Sequence, residues 1–295
     1  MSRKIKEILI KNLFLALSMV SLFILGLIVV FLFQEALPIF RTVSVGDFLF
    51  GTLWYPTSSP PEFGIWPLIL ASLIVTFFAT LIAVPVGLLS AIYLGELAGA
   101  VTKEILKPII ELLAGLPSVV LGFFGMVILG PWLQETFDLP TGLNITTASI
   151  MLAIMAIPTI SSLSEDALYS VPREYKEASY ALGATRFETM VSVLIPAALS
   201  GISTAVILGM ARAIGETMVV LMVAGGATAI PESLFDPVRP MTSAIAAEMG
   251  EAPYGSPHAH ALFAIGVVLF FMTVFFNLIA DYVSHRFREV GSGTL

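Results

Sequence analysis

Six stretches of the chain stay apolar long enough to cross a bilayer, at about residues 12–33, 67–94, 109–130, 146–164, 198–226 and 260–282. A spanning helix needs about 20 such residues, and backbone hydrogen-bond satisfaction in lipid makes each stretch a helix. The alternating pattern of a β-protein is absent, so the expected fold class is all-α integral membrane with six transmembrane helices. The polar intervals differ in kind. Residues 34–66, with "YPTSSPPEFGIWP", and 227–259, with "PESLFDPVRP" and "YGSPHAH", are rich in Pro, Gly and Ser and read as loops. Residues 164–201 are too polar to cross and too regular to be slack. No second soluble domain, low-complexity tract or internal repeat stands out. The opening "MSRKIKEILIKNLFLALSMV" has the basic head of a signal peptide, but its apolar part runs from Leu13 to Phe33 without an A-x-A-like cleavage site. It is expected to be an uncleaved first span.

Composition sharpens this picture. Of 295 residues 57% are hydrophobic and 12% charged, a balance that fits lipid rather than water. The net charge of −7 argues against a nucleic-acid partner, and the absence of cysteine excludes disulfides and thiolate metal sites. Basic residues set the orientation. With the amino terminus inside, the cytoplasmic side receives Arg3, Lys4, Lys6, Lys11, Lys103, Lys107, Arg173, Lys176, Arg186, Arg286 and Arg288. The outer side receives Arg41 and Arg239, so both termini are expected in the cytoplasm. His258 and His260 form an H-x-H pair without a third ligand, which is too little for a metal site.

The polar interval "SEDALYSVPREYKEASYALGATRFETMVSVLIPAALSG" predicts a helix over 173–182, ended by Gly183 in a left-handed cap. Thr185 and Glu188 have capping-box spacing and start a second helix that ends near Pro196. Ala178, Ala181, Leu182, Phe187 and Met190 are apolar positions available to the membrane domain or to a partner's groove. Glu177-Ala178-Ser179, three residues, Gly183, nine residues, then Val193-Leu194-Ile195-Pro196 resembles the "EAA" loop of binding-protein-dependent ABC importer permeases, with Ser179, Val193 and Ile195 as conservative departures.

"FGIWPLILASL" (63–73), "KPIIELLAGLPSVVLGFFG" (107–125), "ARAIGETM" (211–218) and "MTSAIAAEMGEA" (241–252) resemble the phosphate-specific branch of that family, and its PstC-type subunit in particular. The resemblance implies a MetI-like permease fold whose hairpin is a coupling helix docking in a cleft of a cytoplasmic ATPase, through Glu177, Ala178, Gly183 and Pro196. The domains would be an amino-terminal span and first periplasmic loop (1–65), the MetI-like transmembrane domain (66–285, with the coupling loop about 165–197), and a cytoplasmic tail (286–295). The partners it implies are a homologous second permease subunit, two copies of the ATPase and an extracytoplasmic phosphate-binding protein, besides membrane lipid.

A chain that hydrolysed ATP through a P-loop would need G-x-x-x-x-G-K-[ST], and no Gly-Lys dipeptide occurs here. The chain is therefore expected to be non-catalytic and to hold no cofactor, with energy supplied by a partner ATPase or by an ion gradient.

"ILGMARAIGETMVVLMVAGG" (207–226) places Arg212 near the middle of the fifth span, where insertion of an ionised side chain costs roughly 2.5–3.5 kcal/mol. Glu216 stands four residues on, which places both on one helix face, where they can pair. Pairing explains how the charges survive, and an anion path explains why they are present. A guanidinium offers a planar fork of donors to two oxyanion oxygens. Phosphate near neutral pH still carries a proton that a carboxylate accepts, whereas sulfate does not, so Glu216 would orient Arg212 and repel sulfate. Thr217 and Ser118 are further candidates along the path, and Pro117 with Gly115 suggests a kink inside the third span. The competing expectations are a permease for sulfate, molybdate or phosphonate, and an ion-coupled carrier titrating Glu216.

Overall fold

The computed structural model describes residues 3–288. Helix α1 (Arg3–Ala36) is followed by a 3-10 turn (Leu37–Arg41), a short helix α2 (Val45–Phe50), and an antiparallel hairpin of β1 (Trp54–Tyr55) and β2 (Glu62–Phe63). Helix α3 (Trp66–Ile92) ends in a π-turn and leads to α4 (Ala100–Ala114). Next come α5 (Ser118–Phe124), a π-turn, α6 (Gly130–Phe137) and the central helix α7 (Ile145–Tyr169). The polar interval holds α8 (Arg173–Ala181), α9 (Arg186–Thr189), a π-turn and α10 (Ile195–Ala197). Then follow α11 (Leu199–Ile214), α12 (Met218–Val223), α13 (Met241–Glu248) and α14 (Pro257–Arg288).

Among the described residues five helical stretches are long and apolar enough to cross: Ile10–Arg41, Trp66–Leu97, Ser118–Phe137, Ile145–Tyr169 and Pro257–Ile279. A sixth exists only if α11 is joined to Arg186–Ala197, from which it bends by 70°. Three of the expected boundaries move. The third span begins at Ser118 rather than 109, because Lys103, Lys107 and Glu111 recur every fourth residue and make α4 a separate amphipathic helix. The fourth continues to Tyr169, since Glu165 near its end is neutralised by two lysines. The fifth stops at Ile214 and resumes at Met218. The loops expected at 34–66 and 227–259 carry α2, the β-hairpin and α13.

Helices α3, α7 and α11 approach closely because small residues face Ile160: a Cβ added at Gly87 would come within 2.9 Å of that side chain, and one at Gly209 within 2.6 Å. Such contacts supply packing where lipid removes the hydrophobic drive between helices. One apolar core joins Ala71 and Val75 of α3, Leu121 of α5, Met151 and Leu152 of α7, and Val219 and Val223 of α12. A second, away from the α8–α10 hairpin, buries Phe48, Trp54, Phe63 and Ile65 against Met241 of α13 and Leu262 of α14. Helix α1 leans on α14 through edge-on rings, Phe31 with Phe263 and Phe33 with Phe271.

The loop between α6 and α7 passes close over the start of α6, where a Cβ on Gly142 would clash with the Gly130 carbonyl. Gly142→Ala should therefore lower the detergent melting temperature by an amount reflecting at least about 1–3 kcal/mol of overpacking. Gly26→Ala, inside α1 with nothing within 4 Å, should not lower it in the same assay, since Ala favours a helix interior over Gly.

Candidate functional site

Two helices break in the same way, one hundred residues apart. Gly115-Leu116-Pro117-Ser118-Val119-Val120-Leu121 and Gly215-Glu216-Thr217-Met218-Val219-Val220-Leu221 share a Gly, three residues, then Val-Val-Leu. In the first, α4 closes on Gly115, whose amide donates to the Glu111 and Leu112 carbonyls, and α5 starts at Ser118. In the second, α11 closes on Gly215, whose amide donates to the Ala211 carbonyl, and α12 starts at Met218. Helices α5 and α12 lie side by side in the same direction, with Gly122 against Val219 and Met222, and Gly125 against Val223. Both breaks therefore fall at the same end of the pair. Pro117, expected to kink a span, instead stands outside α5 and separates two helices.

Arg212 occupies the last turn of α11, and its Nη1 donates to Thr159 Oγ1 at 3.0 Å. Thr159 lies 14 residues from the start of α7 and 10 from its end, so the guanidinium sits near mid-depth of the central helix. At 1.5 Å per residue Thr159 is about 12 Å along α7 from Met151, which packs on Gly125, and Ser118 is about 10 Å along α5 from Gly125. Ser118 and Arg212 thus share about one level.

The pair expected between Arg212 and Glu216 is not formed. The helix ends between them, which removes the i, i+4 geometry, and Glu216 turns the other way to cap α12. Its Oε1 accepts the amides of Met218 at 3.1 Å and Val219 at 3.2 Å, which a helix start otherwise leaves without partners. Glu216 also lines a cavity of about 10 Å³ with Ser72, Thr76 and Thr242, room for about one water. Thr217 is half-buried and donates to the Gly215 carbonyl at 3.4 Å; Ser118 is half-buried at the first position of α5.

The polar hairpin folds as its residues predict. Gly183 has φ +85° after α8, and Thr185 and Glu188 form a reciprocal capping box at the start of α9. Ser179 and Thr189 bridge the two helices at 2.9 Å. Glu177, Ala178 and Ala181 are exposed, Leu182 is 90% exposed and Phe187 69%, whereas Met190 is buried. Pro196 lies in α10, the short element before the bend into α11. Lys176 Nζ holds Glu96 Oε1 at 2.6 Å, fastening α8 to the end of α3. Glu165, 4% exposed, accepts Lys103 at 2.8 Å and Lys107 at 3.1 Å, fastening α4 to α7. The hydrogen bond to Glu165 raises the Lys107 pKa above its ordinary value, against the opposing effect of burial. The Thr185 amide and hydroxyl hold the exposed Glu188 carboxyl below the usual range.

His258 and His260 lie in the first turn of α14, not in a loop. His258 Nε2 meets Glu248 Oε2 at 2.8 Å, and His260 Nδ1 meets the Glu35 carbonyl at 2.7 Å. Among the described residues no group of three or more His, Cys, Asp or Glu could hold a metal. Sequence reasoning missed Thr159, Glu165 and Glu248. The four-residue spacing of Lys103 and Lys107 hinted at the second of these, and the recurring Val-Val-Leu signalled the paired breaks.

Residues 83–289 match the family model described as "Binding-protein-dependent transport system inner membrane component". The chain is 44% identical over 244 residues to the "Probable ABC transporter permease protein YqgH" of Bacillus subtilis strain 168, covering 83% of this chain and 79% of the relative. It is 34% identical over 290 residues to the "Phosphate transport system permease protein PstC" of Mesorhizobium japonicum, covering 92% and 88%. Its fold resembles the inward-facing MetNI methionine ABC transporter, with a TM-score of 0.57 at 22% identity over 76% of this chain and 94% of that one. It also resembles a bacterial alginate ABC transporter, at 0.62 and 14% over 97% and 98%. The chain belongs to the family of inner membrane components of binding-protein-dependent transport systems. It is a non-catalytic, multi-pass permease subunit with a MetI-like fold.

Because the folded Glu188 pKa is depressed, its capping contribution is present above the ordinary carboxylate pKa and is lost as pH falls through the folded value. Amide exchange at Thr185 and Glu188 should accelerate, relative to the intrinsic rate, across that acid window. Thr185→Ala should show the faster exchange already at neutral pH, since loss of a cap costs about 1 kcal/mol.

Proposed function

We propose that this chain is one of two transmembrane permease subunits of an ATP-driven importer that carries inorganic phosphate across the cytoplasmic membrane. The observation that carries the reading is Arg212: a mid-depth guanidinium beside two parallel helix breaks, hydrogen-bonded to a neutral hydroxyl, with no carboxylate in ion-pair range among the described residues. An intramembrane cation of this kind is costly to keep unless it faces a polar path. Its fork of donors suits a tetrahedral oxyanion. Relatives named as phosphate transport permeases in several organisms support phosphate as the anion.

On this reading Arg212, Ser118 and Thr217 offer donors along the path. Glu216 shapes the path by capping α12 rather than by orienting Arg212, and its charge disfavours fully ionised sulfate. The hairpin carries the drive. Leu182, Phe187 and Ala178 stand uncovered by their own chain, as a foot that docks in a cytoplasmic ATPase requires. Two ATPase copies, a second permease and an extracytoplasmic phosphate-binding protein complete the assembly, with the hairpin and both termini on the cytoplasmic side as the basic residues favour. Closure of the ATPases would switch the permease pair between outward and inward access.

Two measurements test this. ATP-dependent uptake of labelled phosphate into proteoliposomes holding the full assembly should fall at least about tenfold for Arg212→Lys, equivalent to about 1.4 kcal/mol, while Glu216→Gln should keep uptake but admit sulfate as a competitor. Near-normal uptake by Arg212→Lys would reduce the residue to a structural role. Separately, Leu182→Ser and Glu177→Lys, both on the uncovered face of the hairpin, should insert normally yet no longer copurify the ATPase.

A further inference from the structure

Glu248, the last residue of α13, is where the segments 34–66 and 227–259 meet on the side away from the hairpin. Its side chain is 13% exposed. The Trp54 indole, from β1, donates to both carboxylate oxygens at 3.1 Å. Arg239, from the strand-like approach to α13, pairs with Oε1, and His258 of α14 meets Oε2 at 2.8 Å. Trp54, 194 residues away, thus meets Arg239 and His258, nine and ten residues away, on one carboxylate.

From that point α13 reaches back to the helix break. Arg239 uses its Nε, the donor not given to Glu248, to bond the Gly226 carbonyl just beyond α12 at 2.8 Å. The backbone there is clamped twice more, with Gly226 donating to Val238 at 3.0 Å and Val238 donating to Ala224 at 2.8 Å. Gly225 and Gly226 both have positive φ, which lets the chain turn sharply into this clamp. At the other end of α12, Thr242 Oγ1 donates to the Glu216 carbonyl at 2.7 Å. The first amide of α13, at Met241, is held by Ser72 of α3 at 2.9 Å. Helix α12 is therefore held at its start by Thr242 of α13 and beyond its end by Val238 and Arg239, which lead into α13, and α13, about 12 Å long, is fixed at its far end by Glu248.

We infer that Glu248 is a positioning residue: through Arg239 and α13 it fixes α12, and with it the break at 215–217 beside Arg212, to the β-hairpin and α14 on the far side. It touches neither Arg212 nor Glu216, so it acts only through these intermediates. The consequence for transport rests on the reading of the break as part of the path. A partner seated on the far side would move the break by moving this carboxylate's attachments.

The test uses the complete assembly with its binding protein, comparing Glu248→Gln and Thr242→Val. Glu248→Gln keeps the side-chain shape but removes the charge that holds Arg239, and Thr242→Val removes one hydroxyl. Hydrogen exchange should rise at residues 216–226 in both variants, with α3 and α7 unchanged. Uptake at saturating loaded binding protein should fall at least tenfold in both, with the half-saturating concentration of that protein unchanged. Because both act through α13, the double variant should be little worse than the worse single one. Unchanged exchange at 216–226, or an effect confined to the half-saturating concentration, would overturn the assignment. If Glu248→Gln fails to assemble, Trp54→Phe, which removes the indole donor to both Glu248 oxygens, takes its place: raised exchange at 216–226 supports the assignment and unchanged exchange overturns it. If the unaltered assembly imports no phosphate, that reading of the substrate fails, and the exchange arm still decides the role of Glu248.

Discussion

A peptide group in hydrocarbon must find a hydrogen-bond partner in its own segment, in neighbouring protein or in enclosed water. This one constraint governs where the chain can depart from a helix. It departs twice within its apolar stretches, at Gly115–Pro117 and Gly215–Thr217, and each time the loose ends are met from close by. Glu216 takes two amides of α12, Thr242 takes the Glu216 carbonyl, and Pro117 has no amide to satisfy. Gly115, Leu116, Pro117 and Gly215 at the two breaks are exposed. Polar backbone retained at this depth is what the proposed anion path rests on.

The rest of the architecture holds those breaks in place. Small residues bring α3 and α11 onto Ile160 of α7, which fixes where Arg212 meets Thr159. On the hairpin side, Glu96 receives Lys176 of α8, tying the hairpin to the end of α3, and Glu165 of α7 receives two lysines of α4. These pairs are partly solvated, so each contributes only modestly to stability and mainly sets register. On the far side the Glu248 cluster ties the β-hairpin to α13 and α14. The hydrogen bonds of Arg239 and Thr242 continue from this cluster to the two ends of α12.

Much of this was legible in the residues. Long apolar runs specify spans because lipid leaves the backbone no alternative, and Gly183 with the Thr185–Glu188 box specifies the hairpin because caps are local chemistry. What escaped the reading was non-local. Whether Arg212 and Glu216 pair depends on whether the helix continues through Gly215, and apolar propensity cannot decide that. The same holds for Ala114 to Ser118, where a hydropathy window runs smoothly across a break. Glu248 stands within 227–259, a stretch that reads as loop, and Trp54, 194 residues away, reaches it only in three dimensions.

The absence of cysteine from the chain allows a direct test of the path, since Ser118→Cys would place its only thiol at the first break. In the reconstituted assembly cycling on ATP, that thiol should react with a charged, membrane-impermeant reagent, and saturating phosphate should slow the reaction. Labelling by a lipid-soluble reagent alone, or by the charged reagent at a rate indifferent to phosphate, would contradict the account.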